Sequence, residues 1–257
     1  HHPGQRAGGG GVSGAATARF TVLIDPTAVA ATAADRFVEA ATRAVDEHGV
    51  FRVALSGGST PRQVYPLLTA APRRDRVDWS RVEFFWGDER AVPPDHPESN
   101  FGVAYQMLIA QLPHVRPQHV HRMAAEAPDL DAAALAYEGE LRLAFDARGD
   151  EPPAFDLIWL GMGPDGHTAS LFPESNALAV TDRWVVANWA PGPRAWRMTL
   201  TYPMLNAARE VIFVVTGRDK ADALRAIRSG TRDVPAAHVD AASVEWIVDR
   251  SAAGDEE

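Results

Sequence analysis

The segment Phe51-Arg52-Val53-Ala54-Leu55-Ser56-Gly57-Gly58-Ser59-Thr60-Pro61 decides the fold, because a strand-like apolar run passes through a glycine-framed turn into a helix opened by proline. Working outward, the same alternation appears on both sides. Upstream, residues 20–24 read as a strand and Asp25-Pro26 starts a helix. In that helix Phe37, Val38, Ala41, Ala44 and Val45 share one face before Gly49 stops it. Downstream, apolar bursts predict strands at 82–86, 119–121, 155–160, 184–187, 211–216 and 244–248. Helical spacing predicts helices at 61–68, 99–111, 130–147, 202–208 and 219–227. Strands alternating with helices predict an α/β fold: an open, mostly parallel, Rossmann-like sheet with helices on both faces. Residues 1–19 are mostly Gly, Ala, Ser and Thr behind a His pair and read as a tag remnant and flexible linker, leaving 20–257 as a single α/β domain without internal repeats.

Composition narrows the chemistry. The chain has 257 residues, 46% hydrophobic and 23% charged, enough for a sizeable core. No run approaches the ~18 apolar residues of a membrane span, and no charged leader precedes an apolar stretch, so a soluble cytoplasmic protein is expected. Cysteine is absent, which excludes disulfides, thiolate metal sites and thiol nucleophiles. A net charge of −9 argues against a nucleic-acid or anionic-membrane partner and leaves room only for a local basic pocket. Lys220 is the one lysine among 25 basic residues; either coding bias left it there or a compact ammonium is needed at that place.

In an open α/β sheet, ligands sit where βα loops converge at the carboxyl ends of the strands. Three such loops are rich in Gly, Ser, Asp and His. The first, Ser56, Gly57, Gly58, Ser59 and Thr60, has the makings of an anion cradle: close backbone approach, hydroxyl donors and a helix N-terminus. The plainer reading is a glycine turn with Thr60 capping its helix. No Gly-Lys-Ser/Thr follows, so it is not a Walker loop, and Ala54 stands where a nucleophile elbow centred on Ser56 needs glycine.

The second loop, Gly87-Asp88-Glu89-Arg90, carries two acids and an arginine that suits a carbonyl or carboxylate, or is simply a solvated charge cluster. The third, Gly161-Met162-Gly163-Pro164-Asp165-Gly166-His167, also fits a dinucleotide fingerprint. Pro164 inside the loop, Pro173 breaking the following helix and Asp182 ahead of its strand speak against that. What remains is Asp165 and His167 displayed past an apolar strand: an acid–base pair, or a turn-stabilising Asp beside a locally bonded His. Arg197 and Lys220 are candidates to balance a dianion, with surface solvation as the alternative. His114, His119 and His121 suggest scattered strand and loop residues, not a metal site.

Together, Leu-Ser-Gly-Gly-Ser-Thr-Pro, Trp-Gly-Asp-Glu-Arg and Gly-Met-Gly-Pro-Asp-Gly-His-Thr-Ala-Ser-Leu-Phe-Pro resemble the 6-phosphogluconolactonase family, in order and spacing, over about residues 20–248. The resemblance implies the fold shared with glucosamine-6-phosphate deaminases. It also implies hydrolysis of 6-phosphoglucono-δ-lactone to 6-phosphogluconate in the pentose phosphate pathway, without a cofactor. It further implies His167 as general base, Asp165 as its neighbour, and Asp88 and Arg90 at the sugar end. Ser56 to Thr60, Arg197 and Lys220 then become the phosphate ligands. The runner-up is a deaminase–isomerase of the same fold, against which Thr168-Ala169-Ser170-Leu171-Phe172-Pro173 stands where deaminases carry an Asn-Glu-Pro-like stretch. A sugar-phosphate-binding protein without catalysis is a third reading, opposed by the intact His167 and Asp165. The oligomeric state is not legible.

Overall fold

The structure, a computed structural model, describes residues 18–255. Most of the expected tag and linker lies outside these residues, but Arg19, assigned to it, opens the first strand.

The strands are β1 (Arg19–Leu23), β2 (Phe51–Leu55), β3 (Val82–Trp86), β4 (Asp88–Arg90), β5 (Leu157–Leu160), β6 (Val185–Ala190), β7 (Ala195–Leu200), β8 (Val211–Val215) and β9 (Val244–Asp249). The α-helices are α1 (Pro26–His48), α2 (Ser59–Leu68), α3 (Asn100–Met107), α4 (Leu130–Ala144), α5 (Tyr202–Asn206), α6 (Ala221–Arg228) and α7 (Arg250–Ala253).

Local chemistry sets the ends of α1. The Asp25 carboxylate accepts from the N–H of Ala28 at 2.8 Å, Pro26 fills the first helical position, and Gly49 ends the helix in the left-handed region at φ 82°. Its inner face is almost wholly alanine and valine around Phe37, whose ring meets Phe51 and Trp159, each 5.2 Å between centroids. Small residues let the helix lie close on the sheet while one aromatic side chain ties it to β2 and β5.

The main sheet has six strands in the order β1-β9-β8-β5-β2-β3, and every ladder in it is parallel. Its central strands β5 and β8 are buried at every residue, as strands covered on both faces must be. From β2 the chain moves outward to β3, whereas from β5 it moves the other way through β8 and β9. The β2–β5 boundary is therefore the topological switch point, where connecting loops diverge and leave a crevice at the carboxyl ends.

A second, antiparallel sheet β4-β7-β6 was not foreseen. Of residues 184–187, expected as one more strand of the main sheet, 185–187 belong to it as part of β6, and Trp184 lies just before that strand. Asp88–Arg90, read as loop because all three residues are charged, is its strand β4. Residues 119–121 do not form a strand. Pro117–His119 is a 3₁₀ turn, and Val120 makes only an isolated bridge to Phe84. Among the described residues no helix is long and apolar enough to cross a membrane.

Candidate active site

A cleft of about 380 Å³ opens at the switch point. Of the sequence-predicted site residues, Ser56, Gly57, Gly58, Ser59, Thr60, Asp88, Arg90, His167 and Lys220 line it. Asp165 and Arg197 do not; each reaches it through a neighbour.

The wall past β2 is the glycine loop. Gly58 is the N-cap of α2 at φ 106°, a conformation that excludes other side chains, and no side chain caps the helix. The first N–H groups of α2 are thus left for a ligand, with the positive end of the helix dipole behind them. Thr60 is not the cap. It lies in the first turn with its hydroxyl 3.3 Å from that of Thr216, and Pro61 follows it inside the helix. Lys220, on the 3₁₀ turn Arg218–Lys220 after β8, brings its ammonium to the same cleft beside Asp219.

The wall past β5 carries the imidazole. Asp165 Oδ1 accepts from the His167 backbone N–H at 3.0 Å and lies 2.6 Å from Nδ1. An ionised carboxylate only accepts, so Nδ1 carries the proton and Nε2 is left as the basic nitrogen. Gly163 is pressed against this ring: a Cβ there would collide with its Cε1 and Nδ1. Gly166, at φ 81°, turns the chain where a Cβ would strike Val234. The imidazole also stacks on Phe172, centroids 4.3 Å apart and planes at 25°.

The third wall is β4. Asp88 is buried, its Oδ2 accepting from Ser170 Oγ at 2.7 Å and its backbone carbonyl from Asn100 Nδ2 at 3.1 Å. Glu89 points away from the cleft and accepts from the backbone N–H groups of Arg90, Asn100 and Phe101 and from Ser99 Oγ, at 2.8–3.0 Å. Burial raises its pKa against those four donors. It is a structural anchor that fixes the start of α3 to β4, not part of the reaction. Arg90 faces the cleft, and its cross-strand partner is Arg197. Burial, and next the charge of Arg90, lower the Arg197 pKa. The Nε atoms of both guanidiniums are buried without a hydrogen-bond partner. Arg90 also donates from Nη1 to the Glu98 carbonyl at 3.3 Å, but two half-buried cations side by side, each with a buried unpartnered Nε, favour an anionic ligand nearby.

Sequence reasoning missed Asn100, Ser170, Phe172 and Asp219. Asn100 lines the cleft and sits so close to Gly57 that a Cβ on that glycine would overlap its Oδ1, joining the first loop to β4. A polar Ser-Asn pair at a helix start was visible, but its partners lie far off in the chain. His119 and His121 do not line the cleft. His121 instead bonds Glu83 at 3.1 Å, and among the described residues no group of three His, Asp or Glu side chains is placed to hold a metal.

Residues 24–248 match the family described as glucosamine-6-phosphate isomerases/6-phosphogluconolactonase. The chain belongs to that family. Within it, the chain is 41% identical over 240 residues to the 6-phosphogluconolactonase of Mycobacterium tuberculosis, covering 90% of this chain and 96% of the relative. Against that of Nostoc the identity is 40% over 217 residues, covering 82% and 85%. The solved 6-phosphogluconolactonase of Trypanosoma cruzi superposes with a TM-score of 0.82 at 30% identity, covering 93% of this chain and 96% of that one. That of Thermotoga maritima gives 0.78 at 30%, covering 91% and 100%. A monomeric glucosamine-6-phosphate deaminase shares the fold, with a TM-score of 0.76 at 19% identity.

Proposed function

We propose that this protein hydrolyses 6-phospho-D-glucono-1,5-lactone to 6-phosphogluconate, the lactone-opening step of the pentose phosphate pathway, with His167 as general base. The observation that carries this reading is the Asp165–His167 pair, 2.6 Å apart, in a cleft whose opposite wall is an uncapped helix N-terminus with Lys220 beside it. Kinship to enzymes named for this activity supports the same substrate.

The phosphate docks on the Ser56 to Thr60 loop and Lys220, fixing the sugar ring so that its far end meets His167. Such positioning is worth several kcal/mol when reacting atoms are held about 3–3.5 Å apart. Nε2 of His167 takes a proton from water while the water oxygen bonds to the lactone carbonyl carbon, and Asp165 stabilises the imidazolium. The carbonyl electrons move to oxygen, where Arg90, backed by Arg197, offsets the charge; one well-placed donor contributes ~3–4 kcal/mol. Collapse breaks the bond to the ring oxygen, which receives the proton back from His167, and the open-chain acid leaves. Asp88, held by Ser170 and Asn100, accepts from a sugar hydroxyl.

In this reading residues 20–257 act as one catalytic domain, since the cleft draws walls from both sheets. The partner is a small sugar-phosphate lactone, neither nucleic acid nor membrane, in keeping with the net charge of −9. A cysteine-free chain suits the cytoplasm. The test is acid release from freshly prepared lactone against its spontaneous opening. Acceleration supports the proposal; no acceleration, with ammonia released from glucosamine 6-phosphate, overturns it.

A further inference from the structure

Phe172 has no part in the steps above, yet its position is exacting. Its side chain is 5% exposed, and its ring lies under the His167 imidazole at 4.3 Å. The loop that carries both residues is pinned: Thr168 Oγ1 donates to the Gly161 carbonyl at 2.8 Å, and Ser170 Oγ donates to Asp88. The imidazole is thus held by the Gly163 backbone, by Asp165 at Nδ1 and by the face of Phe172. The Arg197 guanidinium carbon lies 5.9 Å from the same ring centroid. Two groups that carry positive charge during turnover therefore share one aromatic ring.

We propose that Phe172 is a positioning residue for the base, holding the imidazole so that Nε2 faces the water and favouring the imidazolium formed when that water gives up its proton. An aromatic face carries negative quadrupole charge and attracts a cation stacked on it. The attraction is stronger for imidazolium than for neutral imidazole, so it acts on proton transfer and not on substrate docking. The proton that Nε2 takes from water returns to the ring oxygen, leaving Phe172 chemically unchanged. Other charges facing the imidazole are Asp165 at Nδ1, Arg197 on the shared ring, and Asp88, Arg90, Asp219 and Lys220 on the cleft walls.

This inference rests on His167 as the base. Phe172→Leu removes the ring while keeping an apolar side chain, and Phe172→Tyr restores it. The Leu variant is expected to lose roughly 3- to 20-fold in kcat with KM within about twofold. The acid limb of its kcat/KM profile is expected to move down by roughly half a pH unit. Phe172→Tyr is expected to return kcat to within about threefold of the parent enzyme. If the Leu variant melts below assay temperature, Phe172→Met carries the same expectations. An unmoved limb, or a Tyr variant as impaired as the Leu variant, overturns the proposal. His167→Ala separates the two failures: full activity there overturns the assignment of the base, whereas an inactive His167→Ala with an unaffected Phe172→Leu overturns this inference alone.

Discussion

Arg90 and Arg197 stand directly opposite each other in the β4–β7 ladder, and the Nε of each is buried without a hydrogen-bond partner. Like charges directly opposite in a sheet are destabilising, by an amount comparable to the ~0.2–1 kcal/mol of a favourable pair. Such a pair makes sense in a site that receives an anion, where stability is exchanged for function. Arg197→Met is therefore expected to raise Tm by about 1–3 °C while lowering kcat on the lactone about tenfold or more, with KM within about threefold. Thermal melts and initial rates check this; a lower Tm with unchanged kcat contradicts it.

Gly163 is the backbone surface against which the His167 ring rests. A methyl group there displaces a side chain, not the fold. Gly163→Ala is expected to lose roughly 10²-fold in kcat, the usual consequence of misplacing a reacting group by about 1 Å. Circular dichroism and Tm should stay near the parent values. A fully active variant would show that the imidazole need not lie where it does.

Lys220 faces the cleft where the first turn of α2 is uncapped. Lys220→Ala is expected to raise KM by roughly 10- to 100-fold with kcat within about threefold, because charge-assisted phosphate binding acts equally on ground and transition states. Inorganic phosphate should compete with substrate in the parent enzyme and more weakly in the variant. A loss confined to kcat contradicts the assignment.

How far the sequence reached depends on what kind of information each element needs. Phe51–Leu55 and Val82–Trp86 were legible to the residue, since local apolar runs bounded by polar turns specify buried parallel strands. Asp88–Arg90 was not, because a strand of three charged residues is stable only through partners such as Ser170, Asn100 and Thr199 that no local pattern reveals. Residues 119–121 failed in the opposite direction: an apolar valine between histidines looked like a strand, but Pro117 sets a 3₁₀ turn. In the site, the glycine loop and the Asp165–His167 pair were visible as motifs. The Asn100 contact with Gly57 and the Phe172 stack emerge only when the chain is folded.

His121 gives the fold a pH dependence away from the cleft. Burial lowers its pKa, but the Glu140 carboxylate 3.8 Å from Nδ1 and the Glu83 carboxylate bonded to Nε2 at 3.1 Å outweigh this and raise it to about 9. The protonated form is thus favoured by folding. The resulting stability is fully present below the unfolded value of ~6.5 and is lost as pH rises through about 9, an effect on the order of 3 kcal/mol. Urea titrations of the parent and His121→Gln at pH 6 and pH 9.5 are expected to differ most at the lower pH. A difference independent of pH contradicts this.

If His167 draws the proton from water, its loss must show in kcat of His167→Ala on freshly prepared 6-phosphogluconolactone, read as acid release above spontaneous opening. A fall of about 10²- to 10⁴-fold, with KM within about threefold, is expected. A variant that keeps more than about half of the parent kcat would contradict it.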